Sequence, residues 1–149
     1  MLRDLDVEVG GVSFGNGLAA ATVDDGLVVR TGTSAGDVYV TVEARDREPE
    51  PDLGPWERVV EVSLHSTTGR LCLIVEGATF EPPPCLDGLD PGHYRVRCHA
   101  RGRDAGSANP ALAEDEEPVE EHLVLLWKTP FVSGYAEATL KATDATGNF

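Results

Sequence analysis

Apolar and polar residues alternate along most of this chain with a period of two, the spacing of a strand with one face buried, rather than the 3.6 of a helix. The clearest stretch is HYRVRCHAR. His93, Arg95, Arg97, His99 and Arg101 fall on one face, and Tyr94, Val96, Cys98 and Ala100 on the other. With the apolar run LVLLW that follows an acidic loop, it predicts a long hairpin between Gly92 and Thr129. DVYVTVEAR puts Val38, Val40 and Val42 opposite Tyr39, Thr41 and Glu43. WERVVEVSLHS puts Trp56, Arg58, Val60, Val62 and Leu64 opposite Glu57, Val59, Glu61 and Ser63. DLDVEV predicts a first strand with Leu5, Val7 and Val9 inward, and GYAEATLKATD, from Gly134, a last, edge strand.

Breakers separate these runs. Asp24-Asp25-Gly26 marks a tight hairpin turn, Thr67 to Gly69 a second turn, and Asp90-Pro91-Gly92 the entry to the long hairpin. The prolines of EPPPC fix an extended connection. Apolar residues never recur at helical spacing over a long window, and only LAAAT and PALAED offer short helical possibilities. About eight to ten short strands divided by turns predict an all-β protein, an antiparallel β-sandwich of jelly-roll-like form.

A length of 149 residues supports one core, so 1–149 is read as a single domain. The formal charge of −14 is the outlying number, and a field of that sign repels phosphate backbones and anionic lipid while attracting basic partners. Direct nucleic-acid or membrane binding is therefore not expected. The first residues lack the apolar core of a secretory signal, and no apolar run is long enough for a membrane-spanning helix. Cys72, Cys85 and Cys98 form an odd set without a C-x-x-C pair, which predicts reduced thiols and a cytoplasmic location.

Catalytic signatures are missing: no nucleophile elbow, no phosphate loop and no H-E-x-x-H occur. GNGLAA has the letters of a dinucleotide fingerprint but leads into a strand pattern and an Asp-Gly turn instead of a helix. His93 and His99 lie six positions apart on one strand face, roughly 20 Å, too far to share a metal ion, and His65 and His122 come from distant segments. No metal, no cofactor and no enzymatic activity are expected. The stripe Arg95, Arg97, Arg101 and Arg103 is expected to be neutralised by cross-strand pairing with Glu120 and Glu121 of the same hairpin.

What remains is acidic. The segment 46–57 carries three prolines and five acids, cannot hold a strand ladder, and reads as an exposed recognition loop. A second acidic loop spans 104–121, with six acids in the eight residues from Glu114 to Glu121. Carboxylates held on ordered loops can occupy the cationic cleft of a nucleic-acid enzyme. The candidate partner-binding residues are Glu48, Glu50, Asp52, Glu57, Glu114, Asp115, Glu116, Glu117, Glu120 and Glu121. The alternative is a small-ligand or regulatory sandwich with a site between the sheets, lined by Trp56, Tyr94 and Trp127. The oligomeric state stays open, a homodimer included.

The order of features resembles the competence protein J family. The resemblance lies in GLVVRTGTSAGDVYVTVEARDREPEPDLGPWERVVEVSLHS, then LDGLDPGHYRVRCHARGRD and EEHLVLLWKTP, covering about 26 to 129. Its most specific piece is the Asp-Pro-Gly-x-Tyr turn into an alternating strand, followed by a strand ending at Leu126 and Trp127. The chain departs from the family in its acidic loop at 104–117 and in its C-terminal extension. The resemblance implies a cytosolic, non-enzymatic β-sandwich that binds a protein partner, a basic nuclease or toxin, and holds it inactive; it transfers no individual binding residues.

Overall fold

The structure is a computed structural model that describes residues 16–21, 26–33, 37–75, 85–108, 118–130 and 137–145. Its strands are β1 (Ala19–Ala21), β2 (Gly26–Val29), β3 (Tyr39–Arg45), β4 (Arg58–Ser66), β5 (Leu71–Val75), β6 (Cys85–Leu86), β7 (Gly92–Arg101), β8 (Glu121–Lys128) and β9 (Ala138–Ala142). Among the described residues there is one short helix, α1, spanning Arg103–Ala108. The five-stranded sheet runs β9-β4-β7-β8-β3 and the four-stranded sheet β1-β2-β5-β6, which gives the all-β sandwich that the period-two pattern predicts. The predicted strand over residues 4–9 lies outside the described residues.

The long hairpin is present: β7 and β8 pair antiparallel from Tyr94 opposite Lys128 to Arg101 opposite Glu121. β4 flanks β7 on the other side, antiparallel over nine residue pairs. Two pairings are parallel, β3 with β8 and β2 with β5, so both sheets are mixed. Partners so distant in sequence are joined by crossovers from sheet to sheet, which strand periodicity does not reveal. The turn Thr67 to Gly69 likewise leads the chain from the larger sheet into the smaller. Gly69 there has φ of 79°, and a Cβ would meet the Leu89 carbonyl oxygen at 2.1 Å, so glycine is required twice over.

The core lies between the sheets. Val60, Val62, Leu64, Tyr94, Val96, Cys98, Val124 and Leu126 come from the larger sheet, and Leu27, Val29, Leu71 and Leu73 from the smaller. Tyr94 closes one end by donating its hydroxyl to the Asp90 carbonyl at 2.5 Å, a tyrosine folded back onto its own turn.

Two expectations are corrected. The loop at 104–121 opens with α1, where RDAGSA begins with an acid in its first turn and buries Arg103 and Gly106. The strand pattern expected in LAAAT is present as Ala19–Ala21, paired antiparallel with Gly26–Val29, and Asn16 turns the chain into it by accepting hydrogen bonds from the Leu18 and Ala19 amides. Cys72 and Cys85 are joined in a disulfide between β5 and β6, with Cα atoms 4.1 Å apart, instead of remaining reduced. The register sets the two residues directly opposite, a closeness that their 13-residue separation hides. Cys98 is a free, buried thiol whose pKa burial pushes up to about 12, so it is no nucleophile.

Candidate partner-binding face

The outer face of the larger sheet is built on the basic stripe of β7. Alternation places Arg95, Arg97 and His99 there, yet all three are buried. Glu61, directly opposite Arg97 on β4, accepts from Arg97 Nε at 2.8 Å and from Arg95 Nε at 3.1 Å, while Arg95 also donates to Ser63 Oγ at 2.9 Å. One carboxylate thus serves two guanidiniums. Trp127, opposite Arg95 on β8, lies under the Arg97 guanidinium at 4.9 Å, a cation–π contact on the flat apolar side of the charge.

The loop 46–57 closes over this stripe. Arg97 donates Nη1 to the Pro49 carbonyl at 3.0 Å and turns Nη2 toward Glu48 at 3.5 Å. Lys141 of β9 donates to the Leu53 carbonyl at 3.0 Å, and the Trp56 amide donates to the same oxygen at 3.1 Å. Trp56 is buried against His99, ring centroids 5.3 Å apart, with the Arg101 guanidinium 5.2 Å from its own ring. Glu57 ends the loop: its amide donates to the Ala100 carbonyl, and its carboxylate accepts from the Gly102 amide at 2.8 Å.

The segment is therefore not a free loop but a strap fastened to β7 and β9, and its carboxylates face out. Glu48, Glu50 and Asp52 are exposed, with Glu57 beside them. Beneath the strap, burial lowers the His99 pKa, so the ring stays neutral and Nδ1–H donates to the Leu123 carbonyl at 2.9 Å.

The other candidate acids fare differently. Glu114, Asp115, Glu116 and Glu117 lie outside the described residues. Glu121 pairs with Arg101 across the hairpin, as expected. Glu120 is not on the surface: it is fully buried and binds no basic residue of β7. It accepts from the Thr33 amide and hydroxyl at 2.9 Å each, from the Gly32 amide at 3.1 Å, and pairs with His122. Burial opposes its ionisation, but the His122 pair and the Thr33 donors outweigh that and hold its pKa below the usual value. Glu120 fastens the β2–β3 connection to β8 and is removed from the partner-binding set.

Trp56, Tyr94 and Trp127 do not form one pocket. Tyr94 is in the core between the sheets, while both tryptophans sit on the outer face, one beside His99 and one beneath Arg97. Trp56 precedes β4, so strand alternation does not govern its side chain.

The sequence reading missed a buried polar node at one end of the core. Asp144 accepts from Arg58 Nε at 2.7 Å and from Arg103 Nε and Nη2 at 2.8 and 3.1 Å. Arg103 also donates to the Gly17 carbonyl, and Arg58 to those of Asn16 and Asp144. The signal was available in Arg58, which shares the inward face with Val60, Val62 and Leu64 and so demands a buried anion.

The four histidines divide into two kinds. His99 and His122 are buried, whereas His65 and His93, far apart in sequence, stand directly opposite each other on β4 and β7. Among the described residues, no group of three or more His, Cys, Asp or Glu could hold a metal ion. No helix among them is long and apolar enough to cross a membrane. Comparison with protein families, with curated proteins and with solved structures gives no match for this chain.

Proposed function

We propose that this chain is a non-catalytic binding protein that captures a basic protein, a nuclease or toxin, and blocks it through the carboxylates of the 46–57 strap. One observation carries the reading: the strap's backbone is tied down by Arg97, Lys141 and Trp56 while Glu48, Glu50 and Asp52 stay exposed. Anions fixed in advance lose little conformational entropy when a cationic surface meets them, and a net charge of −14 steers such a surface inward. The resemblance to the competence protein J family points to the same class of partner.

In this reading the protein guards the cell that makes the enzyme, from within the cytoplasm. The Cys72–Cys85 bridge forms more readily in an oxidising compartment, so thiol labelling of protein taken directly from its host decides the location. Capture from the host, with the identity of the neighbouring reading frame, names the partner. Replacing Glu48, Glu50 and Asp52 together with lysine then tests the site. Binding measured by calorimetry is expected to be lost while the far-ultraviolet spectrum is unchanged. Unaltered affinity in the triple variant rejects the strap as the interface.

A further inference from the structure

We propose that His65 and His93 form a two-imidazole chelate for a divalent late first-row transition metal ion such as Ni²⁺, Cu²⁺ or Zn²⁺, independent of the acidic strap. The two residues are directly opposed in the β4–β7 ladder, and their rings lie 4.5 Å apart between centroids with planes inclined at 34°. Metal–nitrogen bonds of about 2.0–2.1 Å place two nitrogens on one tetrahedral ion about 3.3 Å from each other. Chelation asks only that the two facing rings turn about their side-chain torsions to bring one nitrogen of each to that separation. The ladder holds the two backbones in register over nine pairs, so the ligands are positioned before the ion arrives.

The surroundings admit a cation. His65 is exposed and His93 half-buried, so the ion keeps open positions for water or for a donor from a bound partner. The nearest charge along β7 on this face, Arg95, is already answered by Glu61. Imidazole donors favour the late transition metals, whereas Mg²⁺ and Ca²⁺ require oxygen ligands. Strand periodicity places only residues of one segment together; this pair depends on which strand lies next to which.

The test uses the full chain without an affinity tag, with Ni²⁺ as the sole added ligand, followed by titration calorimetry and retention on an immobilised-Ni²⁺ resin. The chain has four histidines and the other two are buried, at 2% and 1% exposure, so histidine-dependent binding must come from this pair. The expected result is one Ni²⁺ per chain, lost in His65→Asn and in His93→Asn and retained in His99→Asn. Excess Mg²⁺ should not compete. Each variant is measured at a temperature where its circular dichroism shows it folded, and should His93→Asn fail to fold, the exposed His65→Asn decides alone. No Ni²⁺ binding by the native chain, or binding in a folded His65→Asn or His93→Asn variant as strong as the native chain's, overturns the proposal.

Discussion

Arg103 grips Asp144 with two of its nitrogens, and neither side chain retains any solvent exposure. Because Arg58 shares the same carboxylate, a residue beyond the last strand is the counter-charge for two guanidiniums inside the fold. Asp144→Asn keeps the volume but strands both charges, and breaking a buried pair costs about 3–5 kcal/mol. The urea midpoint is expected to fall accordingly. A loss under about 1 kcal/mol, the range of exposed ion pairs, would mean that water reaches the node.

Arg97 ties the strap to the sheet, so its removal should act locally as well as globally. Arg97→Met keeps the apolar stem over Trp127 but deletes the donors to Glu61 and to the Pro49 carbonyl. Hydrogen bonds to charged groups contribute about 1.5–3 kcal/mol, and stability should drop within that range. Limited proteolysis is the sharper readout: cleavage within 46–55 should become fast in Arg97→Met and stay slow in the native chain. Equal cleavage rates would show that Lys141 and Trp56 hold the segment unaided.

The strands and their inward faces were legible in the sequence because burial on one side of a strand writes itself as alternation, as in Val60, Val62 and Leu64. The acidity of 46–57 was equally plain. What lay hidden was pairing. Nothing in the local pattern says that β3 joins β8 in parallel, that Cys72 faces Cys85, or that His65 faces His93, since each depends on contacts between distant segments. The basic stripe misled in a specific way. Arg95, Arg97 and Arg101 do share one face, and Arg101 pairs with Glu121 as expected, but Arg95 and Arg97 are answered by Glu61 on the opposite neighbouring strand, and Arg103 leaves the stripe for Asp144. Glu120 looked like one more surface acid because its partners, Gly32 and Thr33, lie in a remote connection.

Stability should form a plateau against pH with a separate cause at each edge. The folded His99 pKa is lowered by burial, so its contribution is complete above the unfolded value of about 6.5 and is lost as pH falls through the folded value. Glu120 is also depressed, and its contribution is lost in turn below about 4.3. The Cys98 pKa is raised to about 12, so its contribution is complete below about 8.5 and erodes as pH rises beyond it. Urea midpoints are expected to stay level between about 6.5 and 8.5. His99→Asn, which keeps a donor for the Leu123 carbonyl, should extend the plateau toward acid, and an unchanged acid limb would assign that limb to other groups.

The Cys72–Cys85 bridge makes a prediction about the smaller sheet. β6 is two residues long and pairs with β5 only through Leu71–Leu86 and Cys72–Cys85, so the ladder alone is a weak hold on this edge. Closing a loop of this size in the unfolded chain is worth about 3 kcal/mol in the chain-entropy picture. Reduction, Cys72→Ser and Cys85→Ser should each lower stability by a similar amount. The double variant should lose no more than either single one, because all remove the same bond. Cys98 provides an internal control: buried and protonated, it should resist alkylation until the protein unfolds, whereas Cys72 and Cys85 should label in the reduced native state. An intact mass lighter than the reduced chain by two hydrogens would establish the bridge in solution. Coincident unfolding curves with and without reductant would show that the fold closes this edge without it.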